Sequence, residues 1–93
     1  MEGVALKKCV SAIYNNTSFR LAPHIVYTRH EEIYIDAVAL EKDGQPPREM
    51  KLSTFKLAGL KDVRVEEEGF QKSELFEPAA EKYVGETLLV IDN

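Results

Sequence analysis

The feature that most constrains this chain is the alternation of apolar and polar residues in short segments that follow one another from Thr17 onward. Successive side chains of a β-strand point to opposite faces, so a period of two is typical of a strand with one buried face. Four or five of these segments follow one another with no crossover helix between them, which favours antiparallel pairing. The pattern predicts an α+β, mainly β fold: a small antiparallel barrel or a bent sheet with an N-terminal helix.

Six segments carry the strand pattern. The strongest is residues 33–40, where β-branched, aromatic and aliphatic side chains surround one aspartate. In that segment we expect Tyr34 and Asp36 to point to the opposite face from the isoleucines beside them. Pro23 has no amide hydrogen, so we expect it to interrupt a strand or to lie at its edge. The predicted strands are residues 17–22, 24–28, 33–40, 48–53, 60–66 and 87–91.

The N-terminus follows a helical spacing instead. Leu6, Cys9, Val10 and Ile13 fall on one stripe of a 3.6-residue period. The two asparagines at 15–16 suit the end of a helix, because Asn tolerates the left-handed conformation found there. This part of the chain therefore predicts a helix before the first strand.

Size and composition place the chain among ordinary globular domains. Its 93 residues allow one domain, and a content of 44% hydrophobic and 30% charged residues argues against disorder. A single cysteine excludes an internal disulfide framework. The longest purely apolar runs have four residues, too few for a signal peptide or a membrane span. These features predict a cytoplasmic protein that does not enter a membrane.

Charge is distributed unevenly along the chain. The formal net charge is −4, yet residues 1–64 hold ten basic and eight acidic side chains, whereas residues 65–93 hold two and eight. Residues 71–93 are predicted to be an acidic extension, with a short helix over 78–83 and a final strand over 87–91 that closes the fold or pairs with a second copy. The asymmetry has two interpretations: a polyanion-binding face beside an acidic region, or a solvated surface.

The sequence lacks the motifs of catalysis. His24 and His30 are six residues apart across a predicted strand and its turn, so they do not share one helical face as metal ligands do. The five glycines are scattered, and no CxxC, HExxH or nucleophile elbow occurs. The sequence therefore predicts a protein that is not an enzyme and that carries no cofactor or metal.

Cationic side chains and two tyrosines are spread over the predicted sheet. Sheets that expose aromatic rings and basic residues bind nucleotides or single strands by stacking and phosphate contact. The alternative is that Tyr27 and Tyr34 are half-buried and that the cations pair with the many glutamates. The cations concerned are Arg20, Arg29, Arg48, Lys51, Lys56 and Arg64.

The order of these segments resembles that of a WYL domain, a small β-barrel module found behind a helix-turn-helix in bacterial transcription regulators. The aromatic-Tyr-aliphatic triplet of that family is matched by Ile-Tyr-Ile at 33–35, and its Arg-x-Phe-basic-Leu segment by Arg-Glu-Met-Lys-Leu at 48–52. Ile33 stands at the family's tryptophan and Thr54 at its second arginine. The similarity covers residues 4–70.

The resemblance implies a single WYL-like domain over residues 1–93, built as an SH3/Sm-like barrel with an N-terminal helix. It also implies a stand-alone ligand-binding or regulatory module that recognises a nucleotide or single-stranded nucleic acid. The alternative is a structural or protein-interaction domain that forms a homodimer through a strand edge such as 87–91. The candidate ligand-binding residues are Tyr34, Arg48 and Lys51, which the resemblance implies, together with His24 and Arg20.

Overall fold

The computed structural model describes residues 2–77, 80, 83 and 87–91. Within them the chain forms a mainly antiparallel β-sheet with very little helix, which confirms the predicted β-rich class. No helix in this part of the chain is long and apolar enough to cross a membrane. The elements are α1 (Glu2–Leu6), β1 (Lys8–Tyr14), β2 (Thr17–Arg29), β3 (Glu32–Lys42), β4 (Leu52–Lys56), a 3-10 turn (Leu57–Gly59), β5 (Leu60–Gly69) and β6 (Thr87–Val90).

Strand β2 is the centre of the sheet, whose order is β4-β3-β2-β1-β5. With 13 residues, β2 is long enough to pair with β3 along one edge and with both β1 and β6 along the other. Strand β1 takes residues 17–21 of that second edge and β6 takes residues 25–27. Among the described residues no ladder joins β4 to β5, so the sheet is open and a closed barrel is not confirmed.

The predicted N-terminal helix over the Leu6 to Ile13 stripe is wrong beyond its first residues. The helix α1 ends at Leu6, Lys7 adopts a positive φ of 55°, and the chain continues as β1. The same stretch of sequence also fits a strand. Val10 and Ala12 are two positions apart, as on one face of a strand, and both are buried. Pairing with β2 on one side and β5 on the other satisfies the backbone of β1, and this tertiary pairing decides its conformation.

Pro23 does not break the chain into two strands, as the sequence predicted. Strand β2 runs through it without interruption, with a register shift between Pro23 and Ile25 in its pairing with β3. A bulge of this kind places one extra residue, His24, in the strand. The carbonyl of His24 then accepts a hydrogen bond from the amide of Ile91 at 3.0 Å.

Two other predicted strands shift or change partner. The strand expected over 48–53 is observed as β4, so Arg48 and Lys51 lie in the loop that precedes it. The final strand is confirmed as β6, and it pairs with β2 of its own chain. The short helix predicted over 78–83 lies outside the described residues, apart from Ala80 and Tyr83.

The core extends over both faces of β2. Every residue from Leu21 to Tyr27 is buried, although neighbouring strand residues point to opposite faces. On one face, Leu21 belongs to the same buried cluster as Ile35 of β3 and Phe55 of β4. The opposite face, with Ile25 and Tyr27, is covered by residues that follow β5: Phe76, Tyr83 and Ile91.

The β2–β3 hairpin turn offers a stability test. His30 and Glu31 form a two-residue turn in which both residues have positive φ, 51° and 66°. Asn and Gly adopt this geometry with less strain than other residues. We expect the double substitution His30→Asn, Glu31→Gly to raise the free energy of unfolding by about 1 kcal/mol in urea denaturation. At the β1–β2 turn, position 16 has a φ of 60° and already holds an asparagine. Asn16→Ala should therefore lower the free energy of unfolding. A double variant less stable than the parent would contradict the turn assignment.

Candidate ligand-binding site

A buried carboxylate on β3 holds several elements together. Asp36 is 1% exposed, and its Oδ1 accepts hydrogen bonds from the hydroxyls of Tyr27 at 2.8 Å and Thr54 at 2.7 Å. Its Oδ2 accepts a further hydrogen bond from the hydroxyl of Tyr83. The donors come from β2, β4 and the chain after β5. The only sign of this cluster in the sequence is an aspartate inside an otherwise apolar strand.

The hydroxyls around Asp36 offset the cost of burying its carboxylate. An isolated charged group would be strongly destabilised in such a site, and hydrogen bonds to a charged acceptor are among the strongest in proteins. Burial raises the pKa of Tyr83, and its hydrogen bond to the Asp36 carboxylate raises it further. The Tyr83 hydroxyl therefore stays protonated at neutral pH and remains a donor. Asp36, Tyr27 and Tyr83 are all buried, so we assign the cluster to fixing the chain after β5 on the sheet.

We expect Tyr83→Phe to be distinctly destabilising, because it removes a donor to a buried charged acceptor. The loss should be about 1.5–3 kcal/mol in the free energy of unfolding, measured by urea denaturation. Tyr34→Phe is the matched control, since the Tyr34 hydroxyl donates at 3.1 Å to the exposed Glu32 and should matter little. Equal effects of the two substitutions would contradict the role given to the buried cluster.

Tyr34, the aromatic residue of the predicted site, lies near the β2–β3 turn. It is half-buried, and its ring stacks on that of Tyr27 with centroids 6.0 Å apart. Its neighbour Glu32 also binds the Lys56 ammonium at 2.7 Å. Tyr34 and Lys56 thus agree with the second interpretation of the sequence, in which the tyrosine rings are half-buried and the cations pair with glutamates. It lines a pocket of about 210 Å³ with Tyr27, Arg29 and Thr54.

Arg20 is held by glutamates from two other strands of the sheet. Its guanidinium lies 3.3 Å from Glu41 on β3 and 2.6 Å from Glu66 on β5, and it also binds Glu68. The hydrogen bonds to Glu66 and Glu68 raise the pKa of Arg20 above its ordinary value. These carboxylates occupy the donors that an anionic ligand would need, so the arrangement ties β5 to the sheet.

His24 is enclosed in the core with no exposed surface. Its Nδ1 lies 2.7 Å from the carbonyl of Ala22, and its Nε2 accepts the amide hydrogen of Ser73 at 2.9 Å. The ring also packs against Phe70 and Phe76, with centroids 5.1 Å and 5.3 Å away. His24 therefore has internal partners on both nitrogens and lies out of reach of an external ligand.

The structure does not bring Tyr34 together with Arg48 and Lys51. Tyr34 pairs with Lys56, so it lies on the face of the sheet that carries Thr54. Lys51 borders the opposite face, five residues before Lys56, which corresponds to about 16 Å of extended chain. Arg48 and Lys51 are exposed in the β3–β4 loop. Only Arg48 and Lys51 share a part of the fold, and Tyr34, His24 and Arg20 each lie elsewhere.

Lys51 borders a groove that the sequence did not reveal, which we call the aromatic groove. Its rings come from three strands: Tyr14 on β1, Phe19 on β2 and Phe55 on β4. The rings of Tyr14 and Phe19 each meet the Phe55 ring edge to face, at centroid distances of 5.2 Å and 5.3 Å. The groove has a volume of about 390 Å³ and is lined by Tyr14, Asn15, Phe19, Ala39, Lys42, Pro47, Glu49, Lys51, Ser53 and Phe55.

The aromatic groove combines half-buried rings with exposed cations. Phe55 is buried, whereas Tyr14 and Phe19 keep part of their surface exposed. Lys42 and Lys51 are both exposed at the border of the groove. Such a surface suits a planar, negatively charged ligand. The sequence concealed it because β1 has the spacing of a helix, so Tyr14 could not be placed beside the rings of β2 and β4.

Comparisons of the chain with protein-family models, with curated proteins and with solved structures found no match. Within the described part of the chain, no group of three or more His, Cys, Asp or Glu side chains could hold a metal ion. The geometry and chemistry of the aromatic groove are therefore the basis on which we assign a function.

Proposed function

We propose that this protein is a ligand-binding module that holds a nucleotide, or a short stretch of single-stranded nucleic acid, in the aromatic groove. The observation that carries the proposal is the placing of Tyr14 and Phe19 beside two exposed lysines, Lys42 and Lys51. Of the residues implied by the resemblance, Lys51 keeps its role as a phosphate contact, whereas Arg48 is exposed in the same loop and does not line the groove. Tyr34 lies on the opposite face of the sheet, so we assign base stacking to the aromatic rings of the groove instead.

The proposed ligand fits the size and chemistry of the groove. Small-molecule sites usually have volumes of about 300–1,000 Å³, and the groove lies within that range. A base stacked on an aromatic side chain gains about 1–3 kcal/mol. The ammonium groups of Lys42 and Lys51 add phosphate contacts that do not depend on the base, so the module should bind many sequences with similar affinity.

We also propose that the open sheet is a divergent form of the SH3/Sm-like barrel, and that the protein is a cytoplasmic regulatory module of the WYL type. The turn Leu57–Gly59 supports this proposal because it links the two edge strands, β4 and β5, by three residues. A backbone amide beside this turn, that of Lys56, also donates to the Tyr14 hydroxyl on β1 at 3.4 Å. Both features draw the edges of the sheet toward each other, as closure of a small barrel requires.

The lysines of the aromatic groove can be tested with a fluorescent oligothymidylate of about ten nucleotides. We expect Lys42→Ala with Lys51→Ala to weaken binding by about tenfold or more at low salt. Two phosphate contacts predict a slope of about −1.4 for the logarithm of the binding constant against that of the salt concentration. In the double variant this slope should approach zero.

The matched control is Lys61→Ala with Arg64→Ala, two exposed cations on β5 outside the groove. Both double variants lose two positive charges, so a general effect of net charge would weaken them equally. Phe19→Leu tests stacking separately, because it keeps an apolar side chain and removes the aromatic face. The proposal fails if neither oligothymidylate nor adenosine monophosphate binds the parent, or if the groove and control variants behave alike.

The alternative function, a homodimer joined at a strand edge, has support from β6. Its residues Leu88 and Val90 are 56% and 37% exposed, which is unusual for aliphatic side chains on a short strand at a sheet edge. We expect Leu88→Lys to shift the mass measured by light scattering from dimer to monomer if this edge joins two copies. A parent protein that is monomeric at every concentration tested would contradict the alternative.

A further inference from the structure

The described residues after β5 are attached to the sheet at His24. We call these residues, 70–77, 80, 83 and 87–91, the C-terminal segment. At the start of the segment, the Ser73 amide donates to His24 Nε2, and the His24 ring contacts Phe70 and Phe76. At its end, the Ile91 amide donates to the His24 carbonyl. One residue of β2 thus binds both ends of the segment.

The hydrogen bonds of His24 fix its protonation state. A backbone amide can only donate, so Nε2 must be the unprotonated, accepting nitrogen where Ser73 meets it. Nδ1 then carries the hydrogen and donates it to the carbonyl of Ala22. The ring is therefore neutral, with its hydrogen on Nδ1, while the C-terminal segment is in place.

A proton on Nε2 would be incompatible with this arrangement. It would set two donors against each other, the ring N–H and the Ser73 amide, and would place a positive charge in a buried site between phenylalanine rings. Burial lowers the pKa of His24; the hydrogen bond to the Ala22 carbonyl opposes this shift in part, and the positive charge of Lys72 adds to it. Since the closed state disfavours the proton, uptake of a proton must favour an open state.

The other ionisable groups near His24 have partners of their own. On the flanking strand β3, Asp36 is held by hydroxyls, and on β2 itself Arg20 is held by glutamates. On β1 the Cys9 thiol lies against the carbonyl of Gly69. Strand β6 carries no ionisable residue, and Glu74 of the C-terminal segment is exposed. Lys72 is thus the nearby charge that acts on the ring, and it acts against protonation.

We propose that His24 is a pH-sensitive latch: neutral, it holds the C-terminal segment on the sheet, and protonated, it releases the segment while the rest of the sheet stays folded. Opening can be local because the ladder of the segment is the short β6 pairing at residues 25–27, whereas β1 pairs with residues 17–21. The hydrogen bond from Tyr83 to Asp36 would open together with β6, and the β1 ladder would stay intact. Release would uncover the face that carries Ile25, Tyr27 and Asp36.

The pH window follows from the direction of the pKa shift. The pKa of His24 is lowered from 6.5 in the closed state and returns toward that value when the segment opens. The closed state is therefore fully favoured above about pH 6.5, and it loses stability as the pH falls from there toward the lowered pKa. In this range the equilibrium constant for opening of the segment should rise by up to about tenfold for each pH unit by which the pH is lowered.

Hydrogen exchange of the full chain, followed amide by amide between about pH 7.5 and pH 5, tests the latch. After correction for intrinsic exchange rates, the protection of the Ser73 and Ile91 amides should fall as the pH is lowered, while that of β1 amides stays constant. His24→Gln has no group that titrates there and should remove the pH dependence. His30→Asn is the matched control, because it removes the exposed histidine of the β2–β3 turn and should leave the dependence intact.

Loss of protection in β1 in parallel with Ser73 and Ile91 would mean global unfolding and would overturn the local latch. A fall in protection that persists in His24→Gln would overturn the role of His24. If that variant does not fold, the ¹⁵N chemical shifts of the parent's imidazole decide the question. They should show Nε2 unprotonated at neutral pH and becoming protonated as the Ser73 amide loses protection. An Nε2 that is protonated at neutral pH contradicts the proposal.

Discussion

The fold depends on one constraint: the central strand β2 must be covered on both faces. From Leu21 to Tyr27 it presents an unbroken run of buried residues, which a single-sided sheet would leave half exposed to water. Phe76, Tyr83 and Ile91 cover the face that carries Tyr27, and Leu21 on the other face belongs to the same buried cluster. The polar groups beneath the three covering residues are therefore buried as well, and they need partners inside the protein.

Those partners account for two residues whose types would otherwise look misplaced. Asp36 is satisfied by hydroxyl groups that come from three parts of the chain, and His24 by a carbonyl of its own strand and an amide of the C-terminal segment. Hydrogen bonds of this kind fix the position of the covering segment more narrowly than apolar contact, because their donors and acceptors must meet in a defined geometry. Three residues of the acidic C-terminal extension, Phe76, Tyr83 and Ile91, are thus part of the core of the protein.

The aromatic groove depends on strand alternation and on a bulge. Lys51, Ser53 and Phe55 share one face because they are two residues apart. A register shift beyond Arg20 places Lys42 opposite Phe19, on that same face. Tyr34 falls on the other face by the same alternation. A site that looks continuous along the sequence is therefore divided between two sides of the sheet.

The sequence by itself determined the strand-rich class, the strongest strand at residues 33–40, the final strand and the burial of the apolar alternation, because these follow from local periodicity. It could not determine the conformation of β1, whose apolar spacing fits a helix or a strand equally well. Only pairing with β2 and β5 decided this, and with it the position of Tyr14 in the groove. The burial of His24 and Asp36 was likewise decided by the tertiary structure, since it depends on a segment about fifty residues further along the chain. Hydrogen bonds over such separations leave no periodic trace in the sequence.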